Sequence, residues 1–447
     1  MIDKKKIRSI SRREFIGKTV AAAAFTIVPR FVLGGNGYTA PSDKLNMACI
    51  GVGGMGYKDT IGVNSENIYA LCDVDDERAA KAYNKFPKAK RYKDFRVLLD
   101  QEKEIDAVTI STPDHTHAVA AMMAMKMGKH AYVQKPLTHT VQEARKLAET
   151  ARAMKVATQM GNQGHAGEGA RLINEWIWSG AIGDVYETHV WTNRPIWPQG
   201  IDRPKENLVV PSTLDWDLWQ GPAPKRPYHP AYLPFSWRGW LDYGTGALGD
   251  MGAHLMDQPF WALKLGDPIS VQASSSPVNN ETYPQSSMVT YQFPARKSMV
   301  PVKLVWYDGG LRPPRPEDLK DGERMGDNGG GVLFVGTKGK LSCGTYGSDP
   351  VLLPEARMKD FDPPPKTIPR SAGIREEWIA ACKTGSPTTS NFDYAGKLTE
   401  TMLLGCIALR IADKNTTLQW DGPNMRFTNL DMANRYIDKK YRKGWSM

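Results

Sequence analysis

Cysteine is scarce: five residues in the whole chain, with no C-x-x-C pair and no Cys/His cluster. That scarcity excludes a disulfide framework and a zinc site. Cys49 and Cys72 fall in stretches that read as strands, Cys343 in a β-rich stretch, and Cys382 and Cys406 in helical patterns. All five are expected as buried thiols, and no metal is expected. Internal repeats and low-complexity tracts are also missing. No apolar run reaches the roughly 20 residues of a permanent membrane span. The formal charge of +10 is not spread evenly. Residues 1–34 hold eight Lys or Arg against two acids, and the last thirteen, RYIDKKYRKGWSM, hold five against one. The body between them is near neutral and has no basic helix or aromatic-basic repeat, which excludes nucleic acid as a partner. The basic C-terminus is expected to be a solvated tail.

The N-terminus has the three parts of a removable leader. Lys4, Lys5, Lys6 and Arg8 precede the pair Arg12-Arg13, an apolar run follows from Phe15 to near Val28, and Gly34 and Gly35 suit a cleavage site. Ser-Arg-Arg-x-Phe-Ile resembles the twin-arginine signal, a route for folded cargo, although an ordinary secretory signal with two arginines is the alternative. Residues 1–35 are therefore expected to be an export leader to the periplasm, and residues 36–44 a linker. Few cysteines suit a protein that folds in a reducing cytoplasm before export.

From residue 45 to 163 short apolar strands (LNMACIGVG, NIYALCDVD, IDAVTIST, HAYVQKP, VATQMGNQ) alternate with helical patterns, THAVAAMMAMKMG and TVQEARKLAETARAM among them. That alternation predicts an α/β fold whose parallel sheet is covered on both faces. The rhythm then changes. Residues 164–447 read as a second domain: a helix at GEGARLINEWIWSG, a strand at VYETHVWTN, a Pro- and Trp-rich irregular stretch from 195 to 240, and a helix near 246–265. Strands spaced as in an antiparallel sheet follow, then helices near 374–384 and 394–413.

Three constellations carry chemistry. In Gly51-Val52-Gly53-Gly54-Met55-Gly56, a strand runs into a helix, and Asp73 ends the next strand 22 residues on. Gly51 serves the tight turn, Gly53 the approach to a pyrophosphate, and Gly56 close helix packing; Asp73 would accept hydrogen bonds from a ribose. A 2′-phosphate would meet the Asp73 charge, so NAD is favoured over NADP. Second, Lys135 in Val133-Gln134-Lys135-Pro136-Leu137 stands at the C-terminal end of a strand, where such sheets bind ligands; a solvated surface lysine is the equal alternative. Third, Asp250 and His254 are four residues apart and share a helix face, as an Asp orienting a histidine base would. Taken alone, His254 reads more readily as a core histidine.

In order, GVGGMG, CDVD, STPDHTHA, QKPL and GDMGAHLMD resemble the glucose–fructose oxidoreductase/inositol dehydrogenase (Gfo/Idh/MocA) family from about residue 45 to the C-terminus. The resemblance implies a Rossmann domain followed by an α/β domain on an open, mostly antiparallel sheet that often makes an oligomer contact, here a homo-dimer or tetramer. It implies Lys135 as the active-site lysine and Asp250 with His254 as the catalytic pair. Members usually carry Glu before the Lys-Pro; Gln134 removes that carboxylate, which by itself favours a neutral Lys135.

Cofactor contacts are expected from Gly51, Gly53, Gly54, Met55, Gly56 and Asp73, and further along from Thr112, Pro113, His117, Gln134, Lys135 and Gln163. His115 and His117 form an H-x-H pair, but their place at a helix start reads as capping and crevice packing rather than metal binding. Substrate contacts are expected from His165, Asn193, Arg194, Tyr228, Trp237 and Arg238. Nine of the thirteen Trp lie between 176 and 261, so an aromatic wall with Arg and Asn donors is expected, the surface a polyhydroxylated ring prefers. The expected activity is NAD-dependent oxidation or reduction of a secondary alcohol or ketone of a sugar or glycoside, with a tightly held, recycled cofactor. Two other readings use the same residues: an NAD-dependent glycosidase working by oxidation, elimination, hydration and reduction, and a non-catalytic sugar binder with structural NAD.

Overall fold

A computed structural model describes residues 43–447. The leader and most of the expected linker lie outside the described residues.

The first layer set is β1 (Asn46–Ile50), α1 (Met55–Gly62), β2 (Asn67–Cys72), α2 (Asp76–Lys85), β3 (Lys90–Tyr92), α3 (Phe95–Gln101), β4 (Ala107–Ile110), α4 (Asp114–Lys126), β5 (His130–Val133), α5 (Val141–Met154) and β6 (Thr158–Met160). The six strands are parallel in the order β3-β2-β1-β4-β5-β6. The order reverses between β1 and β4, and a crevice opens there beyond the strand ends. The edge strand β3, absent from the strands expected from the sequence, carries Lys90 and Arg91 on the exposed rim. Local chemistry sets the helix starts. Asp75 caps α2 by accepting from the amides of Glu77 and Arg78, and Thr140 and Glu143 form a reciprocal capping box on α5.

After α6 (Glu168–Trp178) come β7 (Val185–Thr192), α7 (Trp216–Gln220), α8 (Gly246–Leu255), α9 (Asp257–Ala262), β8 (Ser270–Ser275), β9 (Ser287–Phe293) and β10 (Val302–Asp308). The chain continues through β11 (Gly330–Gly336), β12 (Gly339–Gly344), β13 (Val351–Leu353), α10 (Arg357–Asp360), α11 (Ile374–Thr384), α12 (Phe392–Arg410), β14 (Leu418–Asp421) and β15 (Arg426–Phe427). The strands form a nine-stranded sheet, β13-β12-β11-β7-β10-β9-β8-β14-β15, in which only β7 and β10 pair in parallel. β9 alternates buried and exposed positions, as a strand with one covered face must. The 19-residue α12 is apolar nearly all round and packs against α5, α8 and β8, tying the two sheets into one core. Helix α11 lies on the first sheet through Trp378, which is fully buried.

The C-terminal tail is docked on the protein at several points rather than free in solvent, although Arg435, Lys440 and Lys443 stay exposed. Lys439 Nζ and Tyr441 Oη each bond Glu143 Oε1 at 2.9 Å, Arg442 pairs with Asp217, and Trp445 packs on Phe95 with Arg96 over its ring at 4.1 Å. Two of its five basic residues, Lys439 and Arg442, answer carboxylates contributed by α5 and α7, a pairing that composition alone cannot show. The cysteines are free; four are buried and Cys382 is half-buried. Among the described residues no helix is long and apolar enough to cross a membrane, and no cluster of three His, Cys, Asp or Glu could hold a metal.

Candidate active site

A cleft of about 740 Å³ begins at the loop after β1 and ends against α8. Gly51, Gly53, Gly54, Met55, Asp73, Thr112, Pro113, Gln134, Lys135 and Gln163 line its first part, and Arg194, Trp237, Arg238, Asp250, His254 and Tyr346 the far end. The loop is shaped for close approach. Gly51 has φ +75°, and a Cβ there would stand 2.8 Å from the Ser111 carbonyl oxygen. A Cβ on Gly56 would lie 1.7 Å from the Gly51 carbonyl oxygen, so Gly56 serves helix packing and does not line the cleft. Asp73 Oδ2 accepts from the amides of Val52 at 2.8 Å and Gly53 at 3.1 Å, tying the end of β2 to the glycine loop. Burial raises its carboxyl above the usual range, against the pull of these amides. An open loop at a helix start, with an acid at the next strand end, fits a dinucleotide.

Lys135 follows β5, and Asp250 and His254 belong to α8. Lys135 Nζ donates to Asp250 Oδ1 at 2.7 Å and to the Asp250 carbonyl oxygen at 2.9 Å. Arg238 Nε donates to the same Oδ1 at 3.0 Å. Burial alone would raise the Asp250 carboxyl, but Lys135 and Arg238 hold it well below the ordinary range. The expected Asp250–His254 pairing is thus replaced: the carboxylate turns to two cations from other elements. It also supplies Lys135 with the carboxylate that Gln134 was expected to deny it. His254 is 3 % exposed, its Nδ1 makes no hydrogen bond within the protein, and burial, then the Lys135 charge, depresses its basicity. It is therefore neutral, with a lone pair to accept a proton.

Gln134 has its own explanation. Its Nε2 donates to Asp59 Oδ2 at 2.9 Å; the fully buried Asp59 also receives Ser111 Oγ at 2.7 Å and both Nε and Nη2 of Arg375. A glutamate at 134 would set a second carboxylate against Asp59.

Several expected contacts lie elsewhere. His117 is buried behind the cleft with its ring nitrogens 2.9 and 2.8 Å from the carbonyl oxygens of Pro136 and Thr112, bracing the two turns that carry Lys135 and Thr112. Burial brings its pKa down to about 4. His165 is also buried, stacked on Trp261 with Nδ1 3.0 Å from Asp257 Oδ1, because the 3₁₀ turn that carries it points it into the core. Asn193 is exposed and donates to the Asn328 carbonyl at 2.7 Å. Tyr228 packs edge-on against Trp216, within an aromatic cluster that includes Trp219, Tyr232, Trp240 and Tyr243. Most of the aromatic wall is therefore core; Trp219, Trp237 and Phe235 reach the cleft.

Tyr346 and Arg78 are among the lining residues that the sequence did not point to. Tyr346 sits at φ 65° in a 3₁₀ turn, its ring edge-on to His254 at 4.7 Å. Only the flanking glycines of GTYG hint at that turn. Arg78 on α2 lies against the loop, its Nη2 3.3 Å from where a Gly54 Cβ would be.

The family description "oxidoreductase family, NAD-binding Rossmann fold" matches residues 45–162, and the companion "C-terminal alpha/beta domain" matches residues 190–300. The chain belongs to the Gfo/Idh/MocA oxidoreductase family. Similar curated members include levoglucosan dehydrogenase of Pseudarthrobacter phenanthrenivorans, 24% identical over 226 residues, or 48% of this chain and 50% of that protein. Another is an alpha-N-acetylgalactosaminidase of Shewanella oneidensis, 28% identical over 208 residues, or 40% of this chain and 45% of that protein. The matches thus span about half the length of these relatives. Among solved Gfo/Idh/MocA-like structures, levoglucosan dehydrogenase in complex with NADH superposes with a TM-score of 0.58 at 18% identity, over 84% of this chain and 99% of that one. Aldose-aldose oxidoreductase from Caulobacter crescentus superposes at 0.56 and 15%, over 84% and 100%. At these identities the likeness shows the fold: a Rossmann-type parallel sheet followed by an α/β domain on a mixed, mostly antiparallel sheet.

Proposed function

We propose that this family member oxidises or reduces a secondary alcohol or ketone of a sugar or glycoside with NAD. The observation that carries the reading is the far end of the cleft, where a neutral imidazole, His254, and the Lys135–Asp250 ion pair line the same wall, in one cavity with the glycine loop. Bound there, the nicotinamide supplies the two-electron chemistry. His254 takes the hydroxyl proton, Lys135 holds the reacting oxygen, and Asp250 fixes Lys135 in place. Gly51, Gly53, Gly54, Met55 and Asp73 hold the dinucleotide. The test is to denature the purified protein, identify released dinucleotide, and screen sugars and glycosides by mass spectrometry for loss of two hydrogens. Protein with no oxidised or reduced product from any sugar would defeat the reading.

NAD is the choice over NADP because Asp73 closes β2 where a ribose would lie, and its charge opposes a 2′-phosphate. Arg78, beside Gly54, is the residue that would tolerate one. Asp73→Ala is therefore expected to narrow the preference for NAD, measured as the ratio of the two dissociation constants. It should weaken both, since the Val52 and Gly53 amides lose their acceptor. Wild-type protein that copurifies with NADP would reverse the assignment.

Similarity to the alpha-N-acetylgalactosaminidase favours one second reading, net glycoside hydrolysis through the same oxidation step followed by elimination, hydration and reduction. Released aglycone with no net change in cofactor redox state distinguishes it.

A further inference from the structure

The far end of the cleft carries more positive than negative charge. Lys135, Arg194 and Arg238 line it, and the carboxylate among its lining residues is Asp250, whose Oδ1 Lys135 and Arg238 already share. Arg238 is occupied further: its guanidinium lies 4.3 Å from the ring centres of both Phe235 and Trp237, and its Nη1 donates to the Phe235 carbonyl at 3.2 Å. His254 is neutral and offsets nothing.

Arg194 is left over. Among the described residues it forms no ion pair; its Nη1 reaches only the amide oxygen of Asn193, and its Nε is buried with no acceptor. Its backbone is held on both sides. The Arg194 amide donates to Thr192 Oγ1 at 3.4 Å, and its carbonyl accepts from the Gly309 amide at 2.7 Å. The guanidinium thus leaves from a pinned point just after β7. It lines the same cleft as His254 and Tyr346.

A partly desolvated guanidinium without a counter-charge is costly, and the low dielectric of a closed cleft enlarges the cost. Sugar hydroxyls can accept its hydrogen bonds but leave the charge unbalanced. A carboxylate answers both, because its two oxygens match the planar donor fork. We propose that the substrate is an acidic sugar, a uronic acid or its glycoside, whose carboxylate is bound by Arg194. This rests on the reading that the substrate is a sugar.

The experiment measures equilibrium binding by calorimetry on the purified full chain at pH 7. Its probes are matched pairs: methyl glucoside and methyl glucuronide, with the galacto and manno equivalents. In at least one pair the uronate is expected to bind about tenfold more tightly or better, the scale of a charge-assisted contact. Raising the salt should shrink the ratio. Arg194→Gln is expected to bring the ratio to about one at a wild-type melting temperature. Should that variant melt early, Arg194→Lys carries the test: it keeps the charge, loses the fork and should lower the ratio severalfold. The proposal is overturned if no uronate in the panel binds more tightly than its neutral partner, if a 6-sulfate binds more tightly than the uronate, or if the folded variant keeps the wild-type ratio. Binding is read without turnover. Uronate-selective binding with no sugar oxidation would sink the oxidoreductase reading and leave this one standing, and oxidation of neutral sugars alone would do the reverse.

Discussion

Lys135→Ala and His254→Ala are each expected to lower turnover by about 100-fold or more, the scale of general acid–base contributions, while the protein still holds its dinucleotide. The two losses have different causes. Removing Lys135 takes away the donor at 2.7 Å from Asp250 and leaves Arg238 as the one cation bonded to that carboxylate. Burial then pushes the Asp250 carboxyl upward with less to oppose it, so the arrangement that faces the reacting oxygen changes charge as well as shape. Removing His254 deletes the neutral imidazole at this end of the cleft and leaves Tyr346 without the ring it packs against. Neither side chain belongs to the glycine loop or its Asp73 tie, so cofactor retention is expected to survive both changes. Steady-state rates on the true substrate, with bound dinucleotide measured after denaturation, check both halves of the claim. Near-wild-type turnover in either variant means that its residue does not act on the reacting oxygen.

The parts of this site that were legible in the sequence are those built from neighbours along the chain. Gly51 to Gly56 follow an apolar strand and open a helix, and Asp73 ends the next strand; each role depends on local backbone and a fixed spacing. The parallel sheet could be read from the same alternation. The edge strand β3 could not, since three residues with two exposed basic side chains carry no apolar signal. Asp250 shows a different limit. A spacing of four places Asp250 and His254 on one helix face, but it says nothing of what stands opposite. The partners that decide the Asp250 contacts are Lys135, 115 residues away, and Arg238, twelve away. Gln134 is the same case, since its reason is Asp59 on α1 together with Arg375 from α11. His165 and Tyr228 were expected in the cleft because they lie near it in sequence. Their rings instead found apolar partners, Trp261 for one and Trp216 for the other. The docked tail has the same origin, because Lys439 and Arg442 read as solvated with the other basic residues of the terminus until Glu143 and Asp217 are placed beside them.

A protein carrying a folded-cargo leader can use NAD outside the cytoplasm only if the cofactor travels with it. We propose that residues 1–35 direct export of the folded chain and that NAD is bound beforehand. Purified protein is then expected to contain NAD with none added, and to convert its substrate many times without any. The first expectation sets an affinity. Retention through export and purification requires a dissociation constant in the nanomolar range or below, about 12 kcal/mol of binding. The cleft, lined by the glycine loop and by α8, offers the surface from which such an affinity is built. The second expectation sets a cycle, because bound NADH that is never reoxidised stops the protein after a single turnover. The reoxidant is a second carbonyl, an external acceptor, or the keto intermediate of the substrate itself. Incubating purified protein with substrate and no added cofactor separates the cases. Product far exceeding the protein concentration supports the closed cycle, and a burst equal to that concentration means that the reaction lacks its acceptor. Protein that purifies empty and works only when NAD is supplied would remove the reason for exporting it folded, and changing Arg12 and Arg13 to Lys would then be expected to leave export untouched.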